Sequence, residues 1–269
     1  MNLSIVIITY NEEYNLERTL KALSMLREDD FESEIIIIDS GSDDNTEVIA
    51  RKFTDKFYFN KWNGFAEQRN FGLDKSSAEW VLFLDADEVI TEKLASEVKR
   101  VCLEDKYSIA YKVQLKSFYL GKLMKYTWQP DIKLRLVHKS CKPIWKGDFV
   151  HEKLRFENNE VIIGRDTLTG YLIHYSYKNL HHQIHKMVKY AKLSAEDSFR
   201  KEKKFKLSKL LINPISSFIK FYIIKRGFLD GIQGFIASII ISIYTFMKYA
   251  FLKELYLKKN YGRNKNKSK

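Results

Sequence analysis

Along the first hundred residues, short unbroken apolar runs alternate with stretches of helical spacing. LSIVIITY (3–10), EIIIID (34–39) and WVLFLD (80–85) are continuous and rich in β-branched residues, which predicts strands buried on both faces. FYFN (57–60) predicts a shorter strand. Between them, Leu16, Leu20, Leu23 and Leu26 recur at helical spacing, DDNTEVIARKF (43–53) reads as a capped helix, and GFAEQRNFGL (64–73) reads as another. Leu94, Val98 and Val101 mark one more helical face. Strand–helix alternation of this kind implies an α/β fold with a mostly parallel sheet, whose ligands sit beyond the carboxyl ends of the strands.

The C-terminal third is patterned differently. Residues 181–211 have helical spacing with many Lys and His, and His181, His182 and His185 read as a solvated helix face. Residues 231–247 are uncharged, a run just short of the about 20 apolar residues a membrane span needs. With lysines and aromatics at its rims and the basic tail KKNYGRNKNKSK behind it, it predicts a membrane-surface helix or hairpin held by anionic lipid. A buried core helix and a true span are the lesser readings.

Charge sharpens this division. Residues 1–105 carry 12 Lys and Arg against 23 Asp and Glu, whereas residues 106–269 carry 34 against 11. The basic half calls for an anionic partner, and with no nucleic-acid motif and an acidic N-terminal half, a membrane or phosphorylated ligand is expected rather than nucleic acid. Two cysteines, Cys102 and Cys141, make neither a disulfide framework nor a metal pair, which fits a reduced cytosolic setting. The N-terminal apolar run lacks a basic region before it and reads as a first strand, not a signal peptide. Three domains follow: residues 1–105, 106–180 and a helical, membrane-associating region 181–269.

Chemistry collects at the predicted strand ends. The first strand ends in Thr9-Tyr10-Asn11-Glu12, the second in Asp39-Ser40-Gly41-Ser42-Asp43, and the strand at 80–85 in Asp85-Ala86-Asp87-Glu88. Asp43, Asp44 and Asn45 are explained by helix capping. Asp85 and Asp87 are not, because no cap requires two carboxylates after five apolar residues. Such carboxylates are costly to desolvate without positive charge nearby, and a hard cation, Mg2+ or Mn2+, would supply it. Neither a G-x-G-x-x-G nor a G-x-x-x-x-G-K-[ST] follows the first strand.

SIVIITYNEEYNL, EIIIIDSGSDDNT, RNFG (69–72) and WVLFLDADE, in this order and spacing, resemble the nucleotide-sugar-binding half of family 2 glycosyltransferases. The resemblance implies a GT-A-type fold, with Asp85-Ala86-Asp87 as the family's D-x-D motif. It places Asp87 on the divalent cation that clamps the diphosphate, Asp85 on ribose or metal, Thr9, Tyr10 and Glu12 around base and ribose, Asp39 on the uracil edge, and Arg69 near the nucleotide. WKGDFVHEKL (145–154) is similar to the acceptor-side motif of a bacterial branch that modifies the lipopolysaccharide inner core. There Glu152 is the expected catalytic base for inverting transfer, with Asp148 its first substitute and His151 a packing residue. His174, in LIHYSYKN, is expected to complete the metal site. No Q-x-x-R-W occurs in 131–139, so transfer of one sugar is favoured over polymerisation. The resemblance implies a UDP-sugar donor, glucose being the expected sugar, and a lipid-linked saccharide acceptor at the inner face of the cytoplasmic membrane. A nucleotidyltransferase, or a binding module without chemistry, are the alternatives.

Overall fold

The computed structural model describes residues 1–27, 30–104, 110–147, 152–157 and 168–267, with side chains as far as residue 259. His151 and Asp148 lie outside the described residues. The N-terminal elements run β1 (Leu3–Thr9), α1 (Leu16–Ala22), β2 (Ser33–Asp39), α2 (Thr46–Ala50), β3 (Phe57–Phe59), α3 (Phe65–Lys75) and β4 (Trp80–Asp85). Every residue of β1 is buried, as a β-branched run without polar alternation demands. The helix expected over 16–26 tightens into a 3-10 turn at Leu23–Leu26, and the capped helix after β2 spans only Thr46–Ala50. β5 (Glu88–Ile90), α4 (Glu92–Glu104), β6 (Ala110–Tyr119), β7 (Lys122–Leu123), β8 (Asp131–His138), β9 (Pro143–Lys146), β10 (Lys153–Phe156) and β11 (Leu168–His174) follow.

The main sheet has the order β3-β2-β1-β4-β8-β6-β11-β5, with β7 attached to the end of β6. Its first four strands are parallel. β8 then enters antiparallel to both β4 and β6, β6 and β11 run parallel, and β5 closes the edge antiparallel to β11. The expected mostly parallel sheet is therefore a mixed one: the parallel order belongs to the segment whose helical crossovers the sequence displays. β9 and β10 form a separate two-stranded ribbon.

One face of the sheet packs Ile5, Ile7, Leu82 and Leu84 against Leu16, Leu20, Leu94 and Val98 of the helices. The other packs Val6, Ile8, Phe83 and Val137 beneath α3 and Trp145. Fully burying such side chains contributes roughly 1.5–3 kcal/mol each. Gly72 sets how closely α3 lies on the sheet, since a Cβ there would come within 2.3 Å of Val6 Cγ1. That close approach is the physical content of the glycine in RNFG.

The chain forms two compact units, Met1–Ser117 with Pro130–Ser176, and Phe118–Gln129 with Tyr177–Lys269. In the second, α5 (Leu180–Arg200) and α6 (Leu207–Ile219) each pack along α7 (Ile232–Lys267). The single helical stretch expected over 181–211 is broken at 201–206, where Glu202 has φ 52°. Asp230, buried, accepts the backbone N–H groups of Lys125, Tyr126 and Thr127 at 2.9, 3.1 and 2.7 Å and so ties the 118–129 excursion to the turn before α7.

Candidate active site

Parallel register brings the predicted residues to one rim. Thr9 is paired with Asp39 across β1–β2, and Ile8 with Asp85 across β1–β4, so the three polar residues close adjacent strands. Asp39 is buried and spends both oxygens on the turn behind it: Oδ2 accepts from the Gly41 and Ser42 amides, each at 2.8 Å, and Oδ1 from Ser42 Oγ at 2.5 Å. Gly41, with φ 98°, supplies the left-handed backbone of that turn. The loops after β1 and β2 are tied together by Asn11, whose amide side chain exchanges hydrogen bonds with Asp43. Among the described residues, none provides a hydrogen-bond partner for the buried Thr9 Oγ1. Tyr10 is 58% exposed. Glu12 accepts from Asn15 Nδ2 at 2.9 Å at the entrance to α1.

The charge that the 85–88 cluster demands is supplied by two arginines. Arg69 of α3 donates from Nη2 to Asp85 Oδ1 at 2.7 Å and from Nη1 to Glu152 Oε1, also at 2.7 Å. Arg135 of β8 donates to Asp85 Oδ2 at 3.1 Å and pairs with Glu88. Burial alone would raise the pKa of Asp85; Arg135 and then Arg69 outweigh it and hold the carboxyl well below the ordinary carboxylate range. Glu88 is fully buried: burial pushes it up, Arg135 pulls it back, and the neighbouring Asp85 and Asp87 charges leave it at about 7. Beside the divalent cation expected for this cluster, two guanidinium groups thus supply positive charge at Asp85 and Glu88. Asp85 has both oxygens committed to guanidinium groups.

Asp87 pairs with His174 of β11. Its Oδ2 lies 3.4 Å from His174 Nε2, and its carbonyl accepts from the Tyr175 amide at 2.9 Å. The pairing of β11 with β5, His174 opposite Glu88, brings them together. Burial opposes protonation of His174, but Asp87, followed by Glu88 and Asp85, raises its pKa to about 9. Among the described residues no group of three or more His, Cys, Asp and Glu is arranged around a metal-sized site.

Two residues outside the predicted set complete the geometry. Arg135 was hidden in DIKLRLVHK, where only alternation with apolar neighbours hinted at a charge facing inward. Asn70, beside Arg69, exchanges two hydrogen bonds with the backbone of Trp145, at 2.9 and 2.8 Å. Trp145 stacks edge-on against Phe83 at 5.2 Å and lies 4.7 Å beneath the Arg69 guanidinium. α3 therefore grips the ribbon that leads to Glu152 as well as the end of β4.

The glycosyl transferase family 2 model matches residues 4–168, more than half of the chain and all of this rim except His174. The chain belongs to glycosyl transferase family 2. This family 2 glycosyltransferase is 30% identical to an uncharacterized glycosyltransferase of Rickettsia typhi, over 95% of this chain and 88% of the relative. It is 27% identical to the lipopolysaccharide core biosynthesis glycosyltransferase LpsC of Rhizobium meliloti, over 92% and 90%. Among solved structures, S. aureus TarS 1-349 in complex with UDP-GlcNAc aligns over 96% of this chain and 92% of its own, with 14% identity and a TM-score of 0.46.

Proposed function

We propose that this glycosyltransferase moves a single sugar, glucose being the expected one, from a UDP-sugar to a lipid-linked bacterial saccharide such as the lipopolysaccharide inner core, with inversion at the anomeric carbon. The observation that carries the reading is Arg69 bridging Asp85 and Glu152, which links the donor rim to a carboxylate on the acceptor-side ribbon. Glu152 is the base: one oxygen is positioned by Arg69, and its other oxygen takes the acceptor hydroxyl proton. Thr9 and Asp39 border the nucleoside, and Asp85 is oriented by its two arginines toward the ribose. The lipopolysaccharide-core relative in Rhizobium meliloti supports the acceptor class.

Mg2+ or Mn2+ fits the donor set at Asp87 and His174, since such ions take one or two protein ligands and fill the remaining positions with water and substrate phosphate oxygens. When bound, the ion neutralises charge on the departing diphosphate. To act as a ligand, His174 would first release to solvent the proton that Asp87 helps it hold. Tyr10 and Glu12 remain as flanking nucleoside contacts, and the helical unit meets anionic lipid at the inner face of the cytoplasmic membrane, where the acceptor's lipid lies.

Product analysis tests the reading. Purified protein given UDP-glucose, a divalent cation and inner-core saccharide should release UDP and yield a product one hexose heavier, of inverted configuration by NMR. Released pyrophosphate, or UDP-sugar left intact across a panel of acceptors and donors, would overturn it.

A further inference from the structure

The helical pair α6–α7 is built inside out. Where the two helices meet, polar pairs stand beside one aromatic contact, Phe218 edge-on to Phe235 at 6.1 Å: Asn213 donates to the Tyr249 hydroxyl at 2.8 Å, Ser217 and Thr245 hydroxyls lie 3.1 Å apart, and Ser242 donates to the Pro214 carbonyl at 2.8 Å. Their outward faces are apolar. On α6, Leu207, Leu211, Ile215 and Ile219 recur every fourth residue, and all four are exposed, Ile215 by 62%. A water-soluble hairpin has the opposite arrangement. Residues 207–224 have a mean hydropathy of 1.3 with only 6% buried, while 232–259 reach 1.7.

Charge identifies what covers this face. From 203 to 229 the chain carries Lys203, Lys204, Lys206, Lys209, Lys220, Lys225 and Arg226, and no Asp or Glu. At about 100° per residue, Lys209 and Lys220, the latter one residue past the end of α6, fall about 20° apart on the flank beyond the exposed Ile212, about 120–140° round the axis from Ile215. An apolar stripe bordered by cations suits a bilayer surface with anionic headgroups, where apolar area and charge attraction act together. A nucleic acid would leave the stripe wet, and a second copy would set lysine against lysine. Nor does α6 suit a vertical span. Its N-terminal flank is tied to α7, where the Tyr256 hydroxyl donates to the Lys203 carbonyl, and the turn after it is anchored through Asp230 to residues 125–127.

We propose that α6 lies in the plane of an anionic bilayer with Leu211, Ile215 and Ile219 in the acyl boundary and Lys209 and Lys220 among the headgroups, so that α6 rather than the 231–247 run alone is the membrane-contacting element. The inference rests on the membrane reading above and goes beyond it in naming the element.

The test is flotation of the full chain with vesicles of phosphatidylcholine containing 30% phosphatidylglycerol, roughly a bacterial anionic fraction. Wild type should float with them, and weakly with pure phosphatidylcholine. Leu211→Glu with Ile215→Glu, at exposed positions that leave the melting temperature unchanged, should cut the bound fraction at least about tenfold, a loss consistent with moving two large apolar side chains back into water. Lys209→Glu with Lys220→Glu should abolish the preference for anionic vesicles. If the Leu211/Ile215 variant floats like wild type while Ile239→Glu with Ile243→Glu on α7 does not, the assignment to α6 is wrong and the membrane reading stands. If wild type fails to float, and sedimentation shows a dimer that the α6 variant dissociates, the face is a self-interface and both are wrong.

Discussion

Asp85 and Glu152 are held by one guanidinium: Nη2 of Arg69 on the first and Nη1 on the second, each at 2.7 Å. One carboxylate ends a central strand and the other immediately precedes β10, so a single planar fork sets the separation between the two sides of the site. An ammonium cannot reproduce that geometry, because it is a point charge without two fixed donor directions.

Arg69→Lys should therefore retain fold and charge but lower kcat by about 10²-fold, with Arg69→Ala lower still. Steady-state UDP release reads this. Near-normal turnover in Arg69→Lys would show that the bridge is structural only.

Glu152→Gln keeps the size of the side chain and removes its capacity to take a proton. Turnover should fall by about 10²–10⁴ while UDP-sugar affinity, measured by calorimetry, changes little. Equal loss of affinity would mean that Glu152 belongs to the donor pocket.

Asp87→Ala should abolish the extra thermal stabilisation that Mn2+ or Mg2+ confers in the presence of UDP, leaving the melting temperature without ligand near that of wild type. A bound donor raises the melting temperature by mass action, so a nucleotide-sugar panel with and without metal measures both effects. Equal stabilisation in excess chelator would exclude the Asp87–His174 pair as the metal site.

Arg135→Leu strands the fully buried Glu88 and leaves Asp85 with Arg69 as its guanidinium partner. Breaking a buried pair from one side costs about 3–5 kcal/mol, so the chemical denaturation midpoint should drop sharply. Adding Glu88→Gln should recover part of that loss, and the double-mutant cycle gives the coupling. Additive losses would place the destabilisation elsewhere.

Acid stability has its own reporter away from the site. Burial opposes ionisation of Glu34, but Lys56, Ser4 and Ser77 outweigh it and bring its pKa down to about 2. A depressed folded-state pKa gives stability that is present above the ordinary value, about 4.5, and lost as pH falls toward 2. With Lys56 41% exposed, the contribution is on the order of 2 kcal/mol after screening. Glu34→Gln should flatten the fall in stability between pH 4.5 and 2; an unchanged slope would assign that fall to other carboxylates.

Strand existence was legible because a buried parallel strand announces itself by an unbroken run of Ile, Val and Leu, and the acidic ends of β1, β2 and β4 were legible because charge rarely follows such a run without purpose. Gly72, too, could be read as part of RNFG, although its cause, contact with Val6, lies in the packing. Arg135 could not. It meets Asp85 because β8 pairs antiparallel with β4, Leu82 opposite Leu136, and no local pattern encodes which distant strand will lie alongside. The same holds for Asn70 gripping Trp145, and for Asp87 meeting His174 through β11 and β5. Residues 181–211 show the converse failure: helical spacing continued through 201–206, where the chain turns so that α5 and α6 can each lie on α7. Amphipathicity of α6 was written in its sequence, but whether its polar or its apolar side faced α7 was decided only by packing. Local periodicity determined the elements and the character of their ends, whereas register and helix pairing, which depend on contacts between residues remote in the chain, decided which charges meet and which apolar face remains exposed.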